Sequence, residues 1–314
     1  MSASIYSQHD TSHRLPEALD FGLGTWAWGD RLVWGFGGDY GADDVRAAFE
    51  AAVRAGVRLF DTAEIYGQGE SERLLGQFMA ELDVRPMIAT KFAPLPWRLQ
   101  RGQLVEALKA SLKRLRLERV DLYQVHFPAP PMPVETWAEG LADAVEDGLT
   151  HAVGVSNFNA EQTERTAEVL GRRGIPLASN QVEYSLIERK IERDGTLNLC
   201  RALGVRVIAY SPLGMGLLTG KYTPDNPPAG ARAWQKRKAL RQVGPLVSLL
   251  REIGAAHGKT PAQIAINWTI CQGTLPIPGA KTVKQVESNA GAVGWRLSDG
   301  ELAALDEESR LAGF

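Results

Sequence analysis

The sequence predicts an α/β protein: a closed parallel (β/α)8 barrel with long loops at its C-terminal mouth, formed as one domain over residues 1–314. Three observations predict it. Short β-branched apolar runs alternate with helical patterns along nearly the whole chain. The runs number eight, and eight strands at this length suit a barrel better than an open sheet. They are apolar almost throughout, as strands covered on both faces must be.

A polar N-terminal tail, residues 1–18, leads into the first run, ALDFGLGTW (18–26). Asp43 to Ala55 then places Val45, Phe49, Ala52 and Val53 on one helical stripe, ahead of VRLFDTA (57–63) and PMIATKF (86–92). Gln103 to Leu117 carries Leu104, Leu108, Leu112 and Leu115 at helical spacing before VDLYQVHF (120–127). THAVGVSNF (150–158), LASNQVEY (177–184), VRVIAYSPL (205–213) and TLPIPGAKT (274–282) complete the set. Lys221 to Arg241 is the long irregular segment, rich in Pro, Gly and cations. A loop of that length in a compact domain reads as a functional flap.

Composition narrows the function classes. The 35 Lys+Arg against 37 Asp+Glu leave no basic surplus for nucleic acid and no acidic tail for disorder. Cys200 and Cys271 stand far apart, without CxxC or a histidine at ligand spacing, so reduced thiols and no metal site are expected. The first residues lack an apolar signal core, and no apolar run approaches the ~20 residues of a membrane span; a cytoplasmic protein is expected. The oligomeric state is left open. Asn267-Trp268-Thr269 matches a glycosylation sequon but falls within an apparent helix, and we discount it.

Three stretches resemble nucleotide loops. Gly22-Leu-Gly24-Thr25-Trp26-Ala27 fits the dinucleotide fingerprint, yet the next residues, WGDRLVWGFGG, are aromatic and glycine-rich and cannot form a first helical turn. Gly254 to Thr260 is one residue short of a phosphate loop, and Thr260-Pro261 reads better as an N-cap and first helical residue. Ile277-Pro-Gly279-Ala-Lys281-Thr282 has the right context. It comes after the last strand and opens the helix VKQVESNAGAV, where barrels often bind phosphate.

In such a barrel the strand C-termini crowd around one mouth. Strand two ends at Asp61 with Tyr66 in its loop, strand three at Lys91, strand four at His126. The next ends carry Ser156-Asn157, Asn180-Gln181 and Tyr210-Ser211. A lysine inside an apolar strand needs a partner, and Asp61 on the adjacent strand can supply it. The cation then lies near the Tyr66 hydroxyl, where it is expected to lower the phenol's pKa from ~10. A neutral His126 can hydrogen-bond a substrate carbonyl and aim it at the phenol.

The chain resembles the aldo-keto reductases, NADPH-dependent carbonyl reductases, from about Leu19 to Arg310. The resemblance rests on GLGTW, FDTAEIYGQGESERLLG, TKF, LYQVH, GVSNF, NQVEYS, AYSPLGMGLLTGKY and IPGAKT with its trailing Asn289, in that order. It implies a catalytic tetrad of Asp61, Tyr66, Lys91 and His126, with NADPH/NADP+ as cofactor and a small-molecule carbonyl as substrate. It implies cofactor contacts from Gly24, Thr25 and Trp26 after the first strand. Ser156, Asn157 and Gln181 would hold the nicotinamide carboxamide, and the Tyr210 ring would stack on the nicotinamide. Ser211, Leu213, Gly216 and Lys221 look like a pyrophosphate strap. Gly279, Lys281, Thr282 and Gln285 sit toward the adenosine 2′-phosphate, and Asn289 toward adenine.

Two features depart from the family pattern. Ser288 stands where relatives often carry an acid. The first loop is unusually aromatic (Trp26, Trp28, Trp34, Phe36, Tyr40, with Trp97 after strand three), which suggests a pocket for apolar or aromatic carbonyls. The tail shows little sign of the family's bottom-capping hairpin. Two other functions compete: a nicotinamide-binding regulatory subunit with little turnover, and a lyase using Lys91 as a Schiff-base nucleophile. The latter needs a lysine free of a carboxylate partner.

Overall fold

The computed structural model describes residues 12–227 and 239–314. Eight parallel strands lie in sequence order: β1 Gly22–Gly24, β2 Leu59–Asp61, β3 Met87–Phe92, β4 Val120–Val125, β5 Thr150–Ser156, β6 Leu177–Glu183, β7 Arg206–Tyr210 and β8 Leu275–Pro276. Each pairs with its successor. The ring closes from β8 back to β1 through a single bridge, Gly24 with Gly279, and a bond from the Gly24 N–H to the Pro278 carbonyl at 3.2 Å. This is a TIM barrel, and every strand falls within one of the eight runs.

Helices fill the connections: α1 Ala42–Arg54, α2 Glu70–Leu82, α3 Gly102–Leu115, α4 Val134–Glu146, α5 Ala160–Arg172, α6 Lys190–Arg193, α7 Thr196–Leu203, α8 Gly244–His257, α9 Pro261–Cys271, α10 Val283–Ala290 and α11 Asp299–Leu311. The apolar stripes face the barrel as their spacing demands. Val45, Phe49 and Ala52 of α1 are buried, as are Leu104, Leu108, Leu112 and Leu115 of α3. Thr260 caps α9 in a reciprocal capping box with Gln263, and Pro261 is its first residue. Most of the long 221–241 loop lies outside the described residues, and residues 239–242 are helical rather than irregular. Asn267, the sequon residue, is fully buried in α9.

Strand periodicity decides what occupies the barrel interior. Leu59, Met87, Ala89, Leu122, Ala152, Ala178, Ile208, Leu275 and Ile277 form its apolar lower filling, closed below by Leu19. Two residues further along the same inward faces come Asp61, Lys91 and Gln124, so polarity rises abruptly toward the mouth. Among the described residues no helix is long and apolar enough to cross a membrane.

Candidate active site

Lys91 is fully buried near the top of β3, and its ammonium has three donors to satisfy. One goes to the Asp61 carboxylate, one to the Thr62 carbonyl at 2.9 Å and one to the Tyr66 hydroxyl at 3.3 Å. The second Asp61 oxygen accepts Gln181 Nε2 at 2.7 Å and Gln124 Nε2 at 3.3 Å. The carboxylate is therefore held from three strands at once. A lysine committed in this way is unsuited to Schiff-base attack.

Tyr66 sits in a tight turn before α2. Gly67 makes that turn possible: its φ is +56°, and an added Cβ would come within 2.5 Å of the Gly29 carbonyl oxygen. The turn packs directly on the first loop. Trp26 stacks over the Tyr66 ring at 6.1 Å, and His126 meets it edge-on at 5.6 Å. Desolvation raises the Tyr66 pKa above its ordinary value, Asp61 adds to the rise, and Lys91 offsets it only in part. The sequence-based expectation of a lowered phenol pKa is thus corrected, because burial outweighs the neighbouring cation.

Burial first and Lys91 second push the His126 pKa down to about 3, so the ring is neutral at ordinary pH. Its Nδ1 is buried without a hydrogen-bond partner among the described residues. For Lys91 itself burial opposes the charged form, but Asp61 and Tyr66 together prevail and the pKa is raised.

Around this centre lie the remaining residues singled out in the sequence. Ser156 donates to the Gln181 carbonyl at 2.8 Å, Asn157 Nδ2 donates to the His126 carbonyl at 3.0 Å, and the Tyr210 hydroxyl donates to Asn157 Oδ1 at 3.0 Å. Gln181 turns its NH2 to Asp61, which leaves its oxygen as the atom able to meet a carboxamide. Past β7, Ser211 (φ +51°), Met215 (φ +53°) and Gly216 (φ +94°) bend the chain tightly through half-buried Leu213, and Lys221 lies exposed beyond. An added Cβ at Gly216 would come within 3.0 Å of the Tyr222 ring.

The loop after β8 forms a second group. Thr282 caps α10, and Gln285 accepts from the Lys281 N–H at 2.7 Å. Asn289, buried, reaches back to the Gly279 carbonyl at 3.3 Å. The Lys281 ammonium lies 4.1 Å from the Tyr40 ring centroid and 5.7 Å from that of Trp34. An amide and hydroxyl row beside a half-buried aromatic ring, and a cation at a helix start next to the bare backbone of Gly279, suit a nicotinamide dinucleotide. Thr25 is placed differently from Gly24 and Trp26. Its hydroxyl is buried against the Asp61 carbonyl and Ser71, its N–H donates to the same Asp61 carbonyl and its own carbonyl accepts from Ser71, so the residue braces the strand end from behind.

The aromatic loop divides in two, which corrects the expectation that all of it lines a pocket. Trp28 is fully buried behind the wall against Phe49, Phe60 and Phe78, and its Nε1 donates to the Ala280 carbonyl. Tyr40 is also buried, its hydroxyl on the Ala27 carbonyl. Trp26 and Trp97 remain exposed at the mouth, with Trp34 edge-on to Trp26 at 5.6 Å. Core space does exist beside the mouth, under α1 and α2.

Sequence reasoning missed Gln124 and the Glu64–Arg98 pair. Gln124 had a signal, a polar residue inside an apolar strand two positions before His126 and so on the same face. Glu64 pairs with Arg98 and accepts the Ala93 N–H at 2.7 Å, bracing the loop after β3, and nothing local announces it.

Comparison with known proteins gives the family and the fold. The profile of the Aldo/keto reductase family matches residues 20–310. A chloroplastic pyridoxal reductase of Arabidopsis thaliana is 44% identical over 91% of this chain and 81% of its own length. A glycerol dehydrogenase from Gluconobacter oxydans superposes with a TM-score of 0.83 at 28% identity, covering 97% of both chains. An aldo/keto reductase from Klebsiella pneumoniae, solved in complex with NADP and acetate, superposes at 0.73 with 30% identity over 92% of this chain and 90% of its own. With the family profile running almost from end to end over an eight-stranded parallel barrel, the chain belongs to the aldo/keto reductase family of oxidoreductases.

Proposed function

We propose that this protein is an NADPH-dependent reductase of aldehydes and ketones, acting best on planar aromatic or heteroaromatic aldehydes. The observation that carries the reading is the saturated Lys91 ammonium, whose third donor rests on the Tyr66 hydroxyl. Ser156, Asn157, Gln181 and Tyr210 would hold the nicotinamide, the 211–221 bend the pyrophosphate, and Lys281, Thr282, Gln285 and Asn289 the adenosine end. Bound NADPH supplies the hydride that reduces the carbonyl carbon.

The chain's own residues manage the oxygen. Neutral His126 hydrogen-bonds it and holds it against the phenol. As negative charge develops, Tyr66 passes its proton to that oxygen, and the phenolate left behind is stabilised by Lys91, itself fixed by Asp61. Burial alone makes the phenol a weaker acid, and the Lys91 cation offsets that in part by favouring the phenolate formed on donation. Trp26, stacked on Tyr66, offers a flat wall for a flat substrate. The similarity to a pyridoxal reductase supports a heteroaromatic aldehyde.

Loss of NADPH absorbance tests this with pyridoxal, benzaldehyde, an aliphatic aldehyde and a sugar aldehyde. The aromatic pair should exceed the others in kcat/KM by about tenfold, one stacking contact of ~1.4 kcal/mol. Tight NADPH binding with no turnover of any carbonyl would overturn the reductase reading and favour a regulatory one.

A further inference from the structure

The barrel end opposite the mouth holds a cavity of about 250 Å³. Its floor is apolar, made by Leu19, Ala178, Val205 and Leu275, while Arg14, Arg201 and Arg206 stand around it. Each arginine donates to a backbone carbonyl: Arg14 to Gly204 at 3.0 Å, Arg201 to Gln272 at 2.9 Å and Arg206 to Leu19 at 2.9 Å. A carbonyl orients a guanidinium without neutralising it. The acids nearby do little more. Glu17 lines the cavity, and Asp20 is shared at 3.9 Å between Arg206 and Arg296, a spacing at which a half-exposed pair is weak.

Arg206 gives the sharper sign. Its side chain is only 28% exposed, and its Nε is buried with no hydrogen-bond partner among the described residues. A guanidinium this far withdrawn from water, with its nearest carboxylate 3.9 Å away, is costly until an anion supplies the missing charge. Residues at this end of a barrel ordinarily serve stability. The three arginine–carbonyl bonds do so here, but they leave the surplus positive charge unbalanced.

We propose that this cavity binds a small phosphate monoester carried on an apolar ring, at a site separate from that of the cofactor. Guanidinium forks match phosphate oxygens in pairs, and three of them offer more donors than the two oxygens of a carboxylate can accept. The apolar floor takes the ring. The volume, just below the roughly 300–1,000 Å³ of drug-sized pockets, suits a ligand of one ring.

Calorimetric titration of the 314-residue chain in excess NADP+ tests the proposal, with phenyl phosphate as probe and inorganic phosphate and phenol as controls. Phenyl phosphate should bind more tightly than either control and weaken with added salt. Arg201→Gln and Arg206→Gln should each weaken it about tenfold, the effect of losing one charge-assisted bond, while carbonyl reduction is unchanged. Arg201 holds only one surface carbonyl, so its variant keeps the test valid if Arg206→Gln fails to fold. No heat from phenyl phosphate with the cofactor site filled, or binding indifferent to both substitutions, would overturn the proposal. The readout is binding, so a failure of carbonyl turnover would count against the reductase reading alone.

Discussion

Replacing Lys91 by methionine removes the cation from a carboxylate that water barely reaches: Asp61 is 2% exposed and Lys91 0%. Breaking a buried pair from one side costs about 3–5 kcal/mol, because the remaining charge stays desolvated. Asp61 would keep its bonds from Gln181 and Gln124, which places the expected loss near the lower end, roughly 3 kcal/mol. With an unfolding entropy of about 2.1 cal/mol/K per residue over 314 residues, Tm should fall by roughly 5 °C. Circular-dichroism melting of the parent, Lys91→Met, and the double variant Asp61→Asn/Lys91→Met is the assay. The double variant should recover most of the loss, since it leaves no buried charge, while remaining inactive. A single variant as stable as the parent, or a double variant no better than the single, would refute the account of the pair.

Tyr66→Phe should lower kcat for carbonyl reduction by at least about 10²-fold, the range of general acid catalysis, with NADPH affinity nearly unchanged; stopped-flow turnover and fluorescence titration check both, and activity within about tenfold of the parent would remove Tyr66 from the role. Tyr66→Phe/Lys91→Met should be scarcely worse than either single change, because residues acting as one unit are non-additive. His126 has a folded pKa near 3, below its unfolded value, so the unfolded chain binds the extra proton and stability should decline as pH falls from ~6.5 toward 3. Urea midpoints of the parent and His126→Gln should diverge only in that window, and parallel curves would contradict the burial argument. Lys281→Ala should weaken NADPH about tenfold and NADH much less, a gap that narrows with salt; equal Kd values for the two cofactors in the parent would refute it.

The eight strands were legible as apolar runs, and most of the candidate site because polar side chains interrupt them. Lys91 in PMIATKF and His126 in VDLYQVHF stand out only where neighbours are buried, and a buried lysine makes its carboxylate partner predictable. Less legible was anything decided by competition between opposing effects. The Tyr66 pKa depends on whether burial or Lys91 prevails, and sequence gives no burial depth at a loop tip. Gln181 and Asp61 are 120 residues apart, and only barrel closure brings them to 2.7 Å. Trp28 and Trp26 are near neighbours in the chain with opposite fates, because one turns under α1 and α2 while the other stays on the rim.

A hoop yields at its clasp. β4 and β5 are joined by a ladder of five paired positions, whereas β8 and β1 meet at one bridge between two glycines. On one side of that join springs the loop bearing Trp26 and Trp34, and on the other the loop bearing Lys281. Strain entering either loop is therefore relieved at the same soft joint. The wall that would feel the substrate and the wall that would feel the nucleotide share one mechanical compliance. Crowding it, as a side chain at Gly24 pressed to 3.0 Å from the Ile277 carbonyl would do, loads both walls together.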